Sequence, residues 1–343
     1  MIKRLMQGAA LGLALATFGA VVANAVQVNA IAILVPEEGT DYGWNQQGVD
    51  AAVAAANATG VEVITAEGLG YGDIRPTLRE LAEEGASLMI AHASGYNTAA
   101  PEIAQETGVP VAIVDSPDAL VPGLVADYTL SGHEGAYLAG VMAATMTRTG
   151  TVGIVVSGEP PSWNAQSAGF AQGVQATNPD VKIVYAVIGP AAYADAAGGN
   201  RVTAAVIAAG ADIVFGQGNG SSFGMLQAIE TTPATDGGKV LFIDVIGDKS
   251  SIDKGYLLTS VLWDMTPVYT AMIEDLENDT FGTKSYAIGL ADDSVRLLQT
   301  DNIPADVWEQ VMAVRQELVD GTLVLEPVFD AEGVRALVTS VAE

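Results

Sequence analysis

A chain of 343 residues with 41 acidic and 14 basic side chains carries a formal net charge of −27 and contains no cysteine. A field of that sign repels nucleic acid and anionic membrane surfaces, and without thiols there is no disulfide, thiolate zinc site or cysteine nucleophile. The charge itself reads first as a solubility device and says little about a ligand.

The chain opens with Lys3 and Arg4, an apolar stretch from Ala9 to Val22, and the small-x-small sequence Ala23-Asn24-Ala25. That order is the pattern of a cleaved export signal, and the apolar stretch falls short of the roughly 18 residues that span a bilayer. Residues 1–25 are therefore expected to be removed. With no cysteine for lipid attachment, the product should be a free, unanchored periplasmic protein. Its remaining length exceeds what one core usually holds, so two lobes are expected.

The first ordered unit is Ile31–Asn45, reading I-A-I-L-V-P-E-E-G-T-D-Y-G-W-N. An uninterrupted apolar pentad is the mark of a parallel strand buried on both faces. Pro36, Gly39 and Gly43 break the pattern before helical spacing resumes. The loop so formed places Asp41, Tyr42, Trp44 and Asn45 beyond a strand's carboxyl end, where open parallel sheets hold ligands.

Strands are then predicted at 61–66, 87–91 and 109–114, separated by helices at 76–84 and 98–107, with Gly108 as a helix stop. A helix over 133–147 ends at Gly150, and the series restarts with strands at 151–156, 181–188, 212–216 and 240–244. Helices lie between them at 162–177, capped by Ser162, at 200–209 and at 223–231. A strand at 257–262, a helix at 267–278, an extended piece at 285–290 and helices at 304–318 and 331–341 complete the chain. Repeated β-α units predict an α/β fold with parallel sheets covered on both faces. The expected division is 26–130 plus about 258–290 in an N-terminal lobe, and 131–257 plus about 291–343 in a C-terminal lobe. Multiple crossings between lobes make a hinge.

Motifs for chemistry fail on their partners. Gly220-Ser221-Ser222-Phe223-Gly224 matches the G-x-S-x-G nucleophile elbow, but that mechanism needs a histidine after the serine. The only histidines, His92 and His133, both precede it, and a serine without a base is inert. Gly216-Gln217-Gly218-Asn219-Gly220 lacks the Lys-Ser/Thr of a phosphate loop and reads as a tight turn. His133-Glu134 has no second histidine at zincin spacing, and no loop has the calcium pattern. No catalytic residue, metal or cofactor is expected, and both histidines read as ordinary polar residues.

Aromatic and polar residues instead gather at predicted strand ends. They are Trp44 with Asn45, Tyr96 with Asn97, Asp115, Trp163 with Asn164, Gln217 with Asn219, Asp244 or Asp248, and Trp263 with Asp264. Each alone is as well explained by packing or capping. Together they suit a flat, polar-edged ligand, held by ring stacking and a few directed hydrogen bonds.

With D-Y-G-W-N after its first strand, the chain resembles the basic membrane protein (Bmp or PnrA-like) substrate-binding proteins of ABC importers. Glu134–Gly140 is similar to that family's G-x-[FY]-L-A-G helix, Ala168–Gly173 to its A-G-F-x-x-G, and Gly210–Val214 to its G-A-D-x-[IV]. The resemblance implies a type I periplasmic-binding fold, two Rossmann-like lobes joined by a multi-strand hinge, with a purine nucleoside or purine base in the cleft. Carried over, Asp41 and Asn45 would hold polar edges, Trp44 would stack on the base, and Asp115 and the Gly216–Gly220 turn would line the cleft.

The chain departs from the family where nucleoside binders carry a ribose-gripping acid. Phe242–Ser250 reads F-I-D-V-I-G-D-K-S, which places Ile246 there, and Trp263 stands where a lysine follows the T-S-V-V strand. The expected function is a monomeric periplasmic receptor that delivers its ligand to an inner-membrane ABC permease. Another small polar or aromatic solute, or a ligand-presenting sensor role, is the alternative.

Overall fold

The computed structural model describes residues 27–340, and the expected leader at 1–25 lies outside them. Strands β1 (Ala30–Leu34), β2 (Glu62–Ala66), β3 (Leu88–Ala91), β4 (Val111–Val114) and β5 (Val125–Leu130) alternate with helices α1 (Trp44–Thr59), α2 (Arg75–Glu83) and α3 (Ala99–Thr107). After α4 (Gly132–Met146) come β6 (Thr151–Val156), α5 (Pro161–Thr177), β7 (Lys182–Val187) and α6 (Ala196–Ala208). Next are β8 (Ile213–Gln217), α7 (Ser221–Thr231), β9 (Leu241–Ile246), β10 (Leu257–Trp263) and α8 (Thr266–Glu277). The chain finishes with β11 (Tyr286–Ile288), β12 (Val295–Leu297), α9 (Ala305–Val319), α10 (Ala331–Leu337) and β13 (Thr339–Ser340).

Two sheets result. The first has the order β11-β5-β4-β3-β1-β2 and the second β12-β10-β9-β8-β6-β7-β13. All neighbours run parallel except β10 and β12. The apolar pentad at β1 is buried throughout, and the two-residue strand period sorts it between faces. Ile31 and Ile33 join the large core that runs through both lobes, whereas Ala32 and Leu34 join the core beneath α2 and α3. β4 divides in the same way, Ala112 and Val114 against Val111 and Ile113.

The boundary between lobes differs from the sequence division at one element. β10 falls in the expected N-terminal portion, yet it lies parallel to β9 in the second sheet. Its burial at every position but Leu262 suits a covered place in the sheet, which it finds between β9 and β12. The chain returns only with α8, which packs on α1, and with β11, which pairs with β5. It crosses once more to β12, beside β10. The helix at 161–177 also starts differently: Pro160 occupies the N-cap with no side-chain bond, so Ser162 does not cap it.

The second lobe depends on close backbone contact between α4 and α5. A Cβ at Gly140 would lie 2.1 Å from the Phe170 carbonyl oxygen, and one at Gly173 would lie 2.1 Å from that of Tyr137. Only glycine permits these helices to approach so nearly, which gives both glycine-bearing helix motifs a physical reason.

Candidate functional site

A cavity of about 280 Å³ lies between the carboxyl ends of the two sheets. Its walls come from residues at or just beyond the carboxyl ends of β1, β2, β3, β4 and β5 in one lobe and β6, β7, β8 and β10 in the other. The helix pattern after each parallel strand forces the chain to turn there, so the exits of both sheets converge on one space. Three non-glycine residues at these exits adopt left-handed backbone, Tyr42 (φ 49°), Asp115 (φ 50°) and Ala191 (φ 54°), and Ile246 (φ 72°) does so at the end of neighbouring β9. Such conformations cost on the order of 1–3 kcal/mol each and persist where the surroundings over-determine them.

The walls are chiefly aromatic. Trp44, Tyr71, Trp163, Tyr193 and Trp263 all face the cavity. Trp44 and Trp263 meet edge to face at 6.2 Å between centroids, one from each lobe. Tyr71 and Tyr193 meet across the opposite side at 5.8 Å, with Trp163 edge-on behind Tyr193 at 5.3 Å. Polar atoms are few. Asp115 is one, bonded through Oδ1 only to the Leu130 amide at 3.0 Å. Burial pushes its carboxyl up to about 6, with Asp127 adding to the effect and the Leu130 amide opposing it. Asn219 Oδ1 and the Trp263 indole Nε1 are buried without a hydrogen-bond partner. Orphaned polar atoms are costly unless something completes them.

Of the site residues singled out from the sequence, Trp44, Asp115, Trp163, Asn219 and Trp263 line the cavity. The others do not. Asp41 is consumed by its own loop, accepting from the amides of Gly43, Asn45 and Gln46 and from Asn45 Nδ2. Asn45 Oδ1 in turn accepts from the Glu37 amide. This pair shapes the loop that presents Trp44, because a carboxylate satisfied by four local donors has little left for a ligand. Tyr96 is fully buried and donates to the Gly70 carbonyl at 2.6 Å. Gly216 leaves room for Phe242 and Met225, and Gln217 donates to Ser167 Oγ at 2.6 Å. The glycine turn is thus a packing device, and only Asn219 from it reaches the cavity.

Asp244 forms a buried ion pair with Lys249. Burial lifts its carboxyl above the ordinary value, against the pull of the ammonium. Lys249 also donates to the Tyr42 carbonyl of the other lobe at 3.0 Å. The Tyr42 ring lies edge-on to Phe223, and a Cβ at Gly247 would lie 2.0 Å from the Tyr42 carbonyl oxygen. This corner fastens the lobes together, as does Gln47 Nε2 donating to the Trp263 carbonyl. Asp248 is exposed and accepts from the Ser250 amide.

Sequence reading missed Tyr71 and Tyr193. Each sits in a glycine-containing loop with no periodic pattern, and nothing local says the two meet across the cleft. The elbow serine, Ser222, donates to the Asn219 carbonyl at 2.6 Å and closes the start of α7. Among the described residues there is no group of three or more histidines, cysteines or carboxylates placed to hold a metal ion.

Comparison with known proteins gives one consistent result. The family model for the "ABC transporter substrate-binding protein PnrA-like" group matches residues 28–326. A CD4+ T-cell-stimulating antigen of Listeria innocua is 28% identical over 56% of this chain, and the match spans only about half, 56%, of that relative's own length. A purine-binding protein of Brucella abortus is 24% identical over 82% of this chain and 79% of its own. Among solved structures, an ABC transporter solute-binding protein from Conexibacter woesei superposes with a TM-score of 0.71 at 22% identity, covering 88% of this chain and all of that one. The fold is that of the type I periplasmic binding proteins.

Proposed function

The chain belongs to the PnrA-like family of ABC transporter substrate-binding proteins, and on that premise we propose that its cleft holds a purine, as the free base or with a small substituent, for delivery to a membrane permease. The observation that carries this reading is the cavity walled by Trp44, Tyr71, Trp163, Tyr193 and Trp263, with Asp115 at its wall holding one side-chain hydrogen bond among the described residues. A purine offers a flat face to Trp44 and a ring N–H donor to Asp115. The volume of about 280 Å³ lies just below the roughly 300–1,000 Å³ usual for small-molecule pockets. A base suits it better than a full nucleoside. Asp244, the acid that could grip a sugar diol, is paired with Lys249 and absent from the cavity wall. The name of the Brucella relative is in keeping with this ligand class.

Proteins of this family work outside the cytoplasm, and among the described residues no helix is long and apolar enough to cross a membrane. The family is one of binding proteins rather than enzymes. Thermal unfolding tests the ligand. A ligand at a hundred times its dissociation constant stabilises by about 2.7 kcal/mol, so adenine, hypoxanthine, guanine and xanthine should raise the melting temperature more than their nucleosides do. A shift with sugars or amino acids and none with purines would replace the ligand class while leaving the fold in place.

A further inference from the structure

The sequence presents His92 as an ordinary polar residue at a strand end. In the fold it is completely buried, directly behind the cavity wall. Its imidazole lies parallel to the Trp44 indole, 3.6 Å between centroids at an interplanar angle of 11°. The two residues are also joined by bonds in opposite directions: Trp44 Nε1 donates to the His92 carbonyl at 2.8 Å, and His92 Nε2 donates to the Trp44 carbonyl at 2.9 Å.

That second bond fixes the tautomer, since a carbonyl can only accept. Nδ1 is then the acceptor, and the hydroxyls of Tyr128 and Tyr269 both lie 2.8 Å from it. The fold makes room for the ring at Gly48, where a Cβ would fall 2.5 Å from His92 Cδ2. Burial pushes the imidazole down to about 3, so it is neutral and keeps its acceptor.

We propose that His92 is the positioning residue of the recognition stack, a second aromatic layer that fixes the plane of Trp44 against which a flat heteroaromatic ligand lies. An apolar side chain of similar size would fill the same space without two tyrosine hydroxyls to satisfy, and burying polar groups carries a cost. What the polar arrangement adds is orientation. The indole has one face on the imidazole and its N–H tied, so it cannot rotate about its side-chain bonds. Its other face is thereby held ready, and the ordering entropy of a loop aromatic is spent before the ligand arrives. Flat solutes gain from a fixed plane, and saturated sugars gain much less.

The inference rests on the ligand class proposed above, and the test separates the two. Titration calorimetry with hypoxanthine on the parent, H92A, H92Q, W44A and the H92A/W44A pair should show H92A weakening binding by about ten-fold, the scale of an aromatic pair. H92Q, which keeps a donor for the Trp44 carbonyl, should recover part of that loss. In the W44A background H92A should change affinity by less than about two-fold, because the histidine acts through the indole. An equal loss in both backgrounds, or no loss in H92A alone, overturns the proposal. A second readout needs no ligand. The Trp44 indole N–H resonance, identified by its disappearance in W44A, should move in H92A and return towards its parental position in H92Q. An unmoved resonance in H92A also overturns it. If the parent binds no purine, the ligand reading fails and the resonance still decides the role of His92.

Discussion

The exits of β4 and β9 begin alike and end differently. Each carries a carboxylate withdrawn from solvent, Asp115 in part and Asp244 completely, and each turns through a left-handed non-glycine residue, Asp115 itself or Ile246. At β9 the loop supplies its own cation: Lys249 neutralises Asp244 and reaches on to the Tyr42 carbonyl of the other lobe. At β4 no cation is paired with the acid, whose one side-chain hydrogen bond among the described residues is to the Leu130 amide. The first arrangement makes a fastening and the second leaves an acceptor facing the cleft. A carboxylate's place at a strand end therefore does not assign its task. What does is whether the fold has already satisfied it.

Removing the cation should give the largest effect. K249M leaves the Asp244 carboxylate buried and unpaired and severs the bond to Tyr42, which predicts a loss of about 3–5 kcal/mol in urea unfolding. Adding D244N to K249M should restore part of it, since the penalty comes from the lone charge. Equal instability of the single and double variants would show that Lys249 acts by packing instead.

At the β4 exit the prediction runs the other way. D115N should leave unfolding stability at neutral pH unchanged or slightly higher, because burial already disfavours the ionised carboxyl. The sign follows from a folded value of about 6, above the ordinary 3.8: the group's contribution is fully present below 3.8 and lost as pH rises through about 6. Purine affinity, by contrast, should fall by roughly ten- to a hundred-fold, the cost of losing a hydrogen bond to a charged group. A D115N protein that binds purines as the parent does would make Asp115 a structural acid after all.

The same group gives a pH signature of intermediate size. A ligand N–H donating to Asp115 favours the carboxylate, so parental affinity should rise with pH through about 6, and D115N should flatten that rise. Calorimetry at several pH values measures it directly. His92 titrates elsewhere: its folded value of about 3 against an ordinary 6.5 removes stability as pH falls through that interval.

The fold was largely legible because its evidence is periodic and local. The pentad at 31–35, the helix stop at Gly108 and the glycines at 140 and 173 each report a backbone requirement that the structure meets. β5 escaped notice because Asp127 interrupts an otherwise apolar strand, and that acid is satisfied by Thr129, Ser116 and Ser285, the last more than 150 positions away. The site was half legible for the same reason. Trp44, Asp115, Trp163 and Trp263 stand at strand ends that periodicity could locate. Asp41 and Asn45 stand there too, but their hydrogen bonds are spent within the loop, which no spacing reveals. Tyr71, Tyr193 and the stacking of His92 on Trp44 exist only once distant loops are brought together.

The smallest expected effect is the sharpest check on the comparison. Asp248 lies in the β9 exit, a few residues past Asp244, and was as good a candidate from the sequence as Asp115. It is exposed, its carboxylate accepts from the Ser250 amide, and it does not border the cavity. D248A should change stability by no more than about 0.5 kcal/mol, as for an ordinary surface substitution, and should leave purine affinity unaltered. The cleft wall is drawn from the exits of β6, β7, β8 and β10 in this lobe, and β9 is passed over because its loop is occupied in holding Tyr42. If D248A weakened binding to the extent expected of D115N, the β9 exit would belong to the recognition surface, and the division between fastening and recognition would not hold.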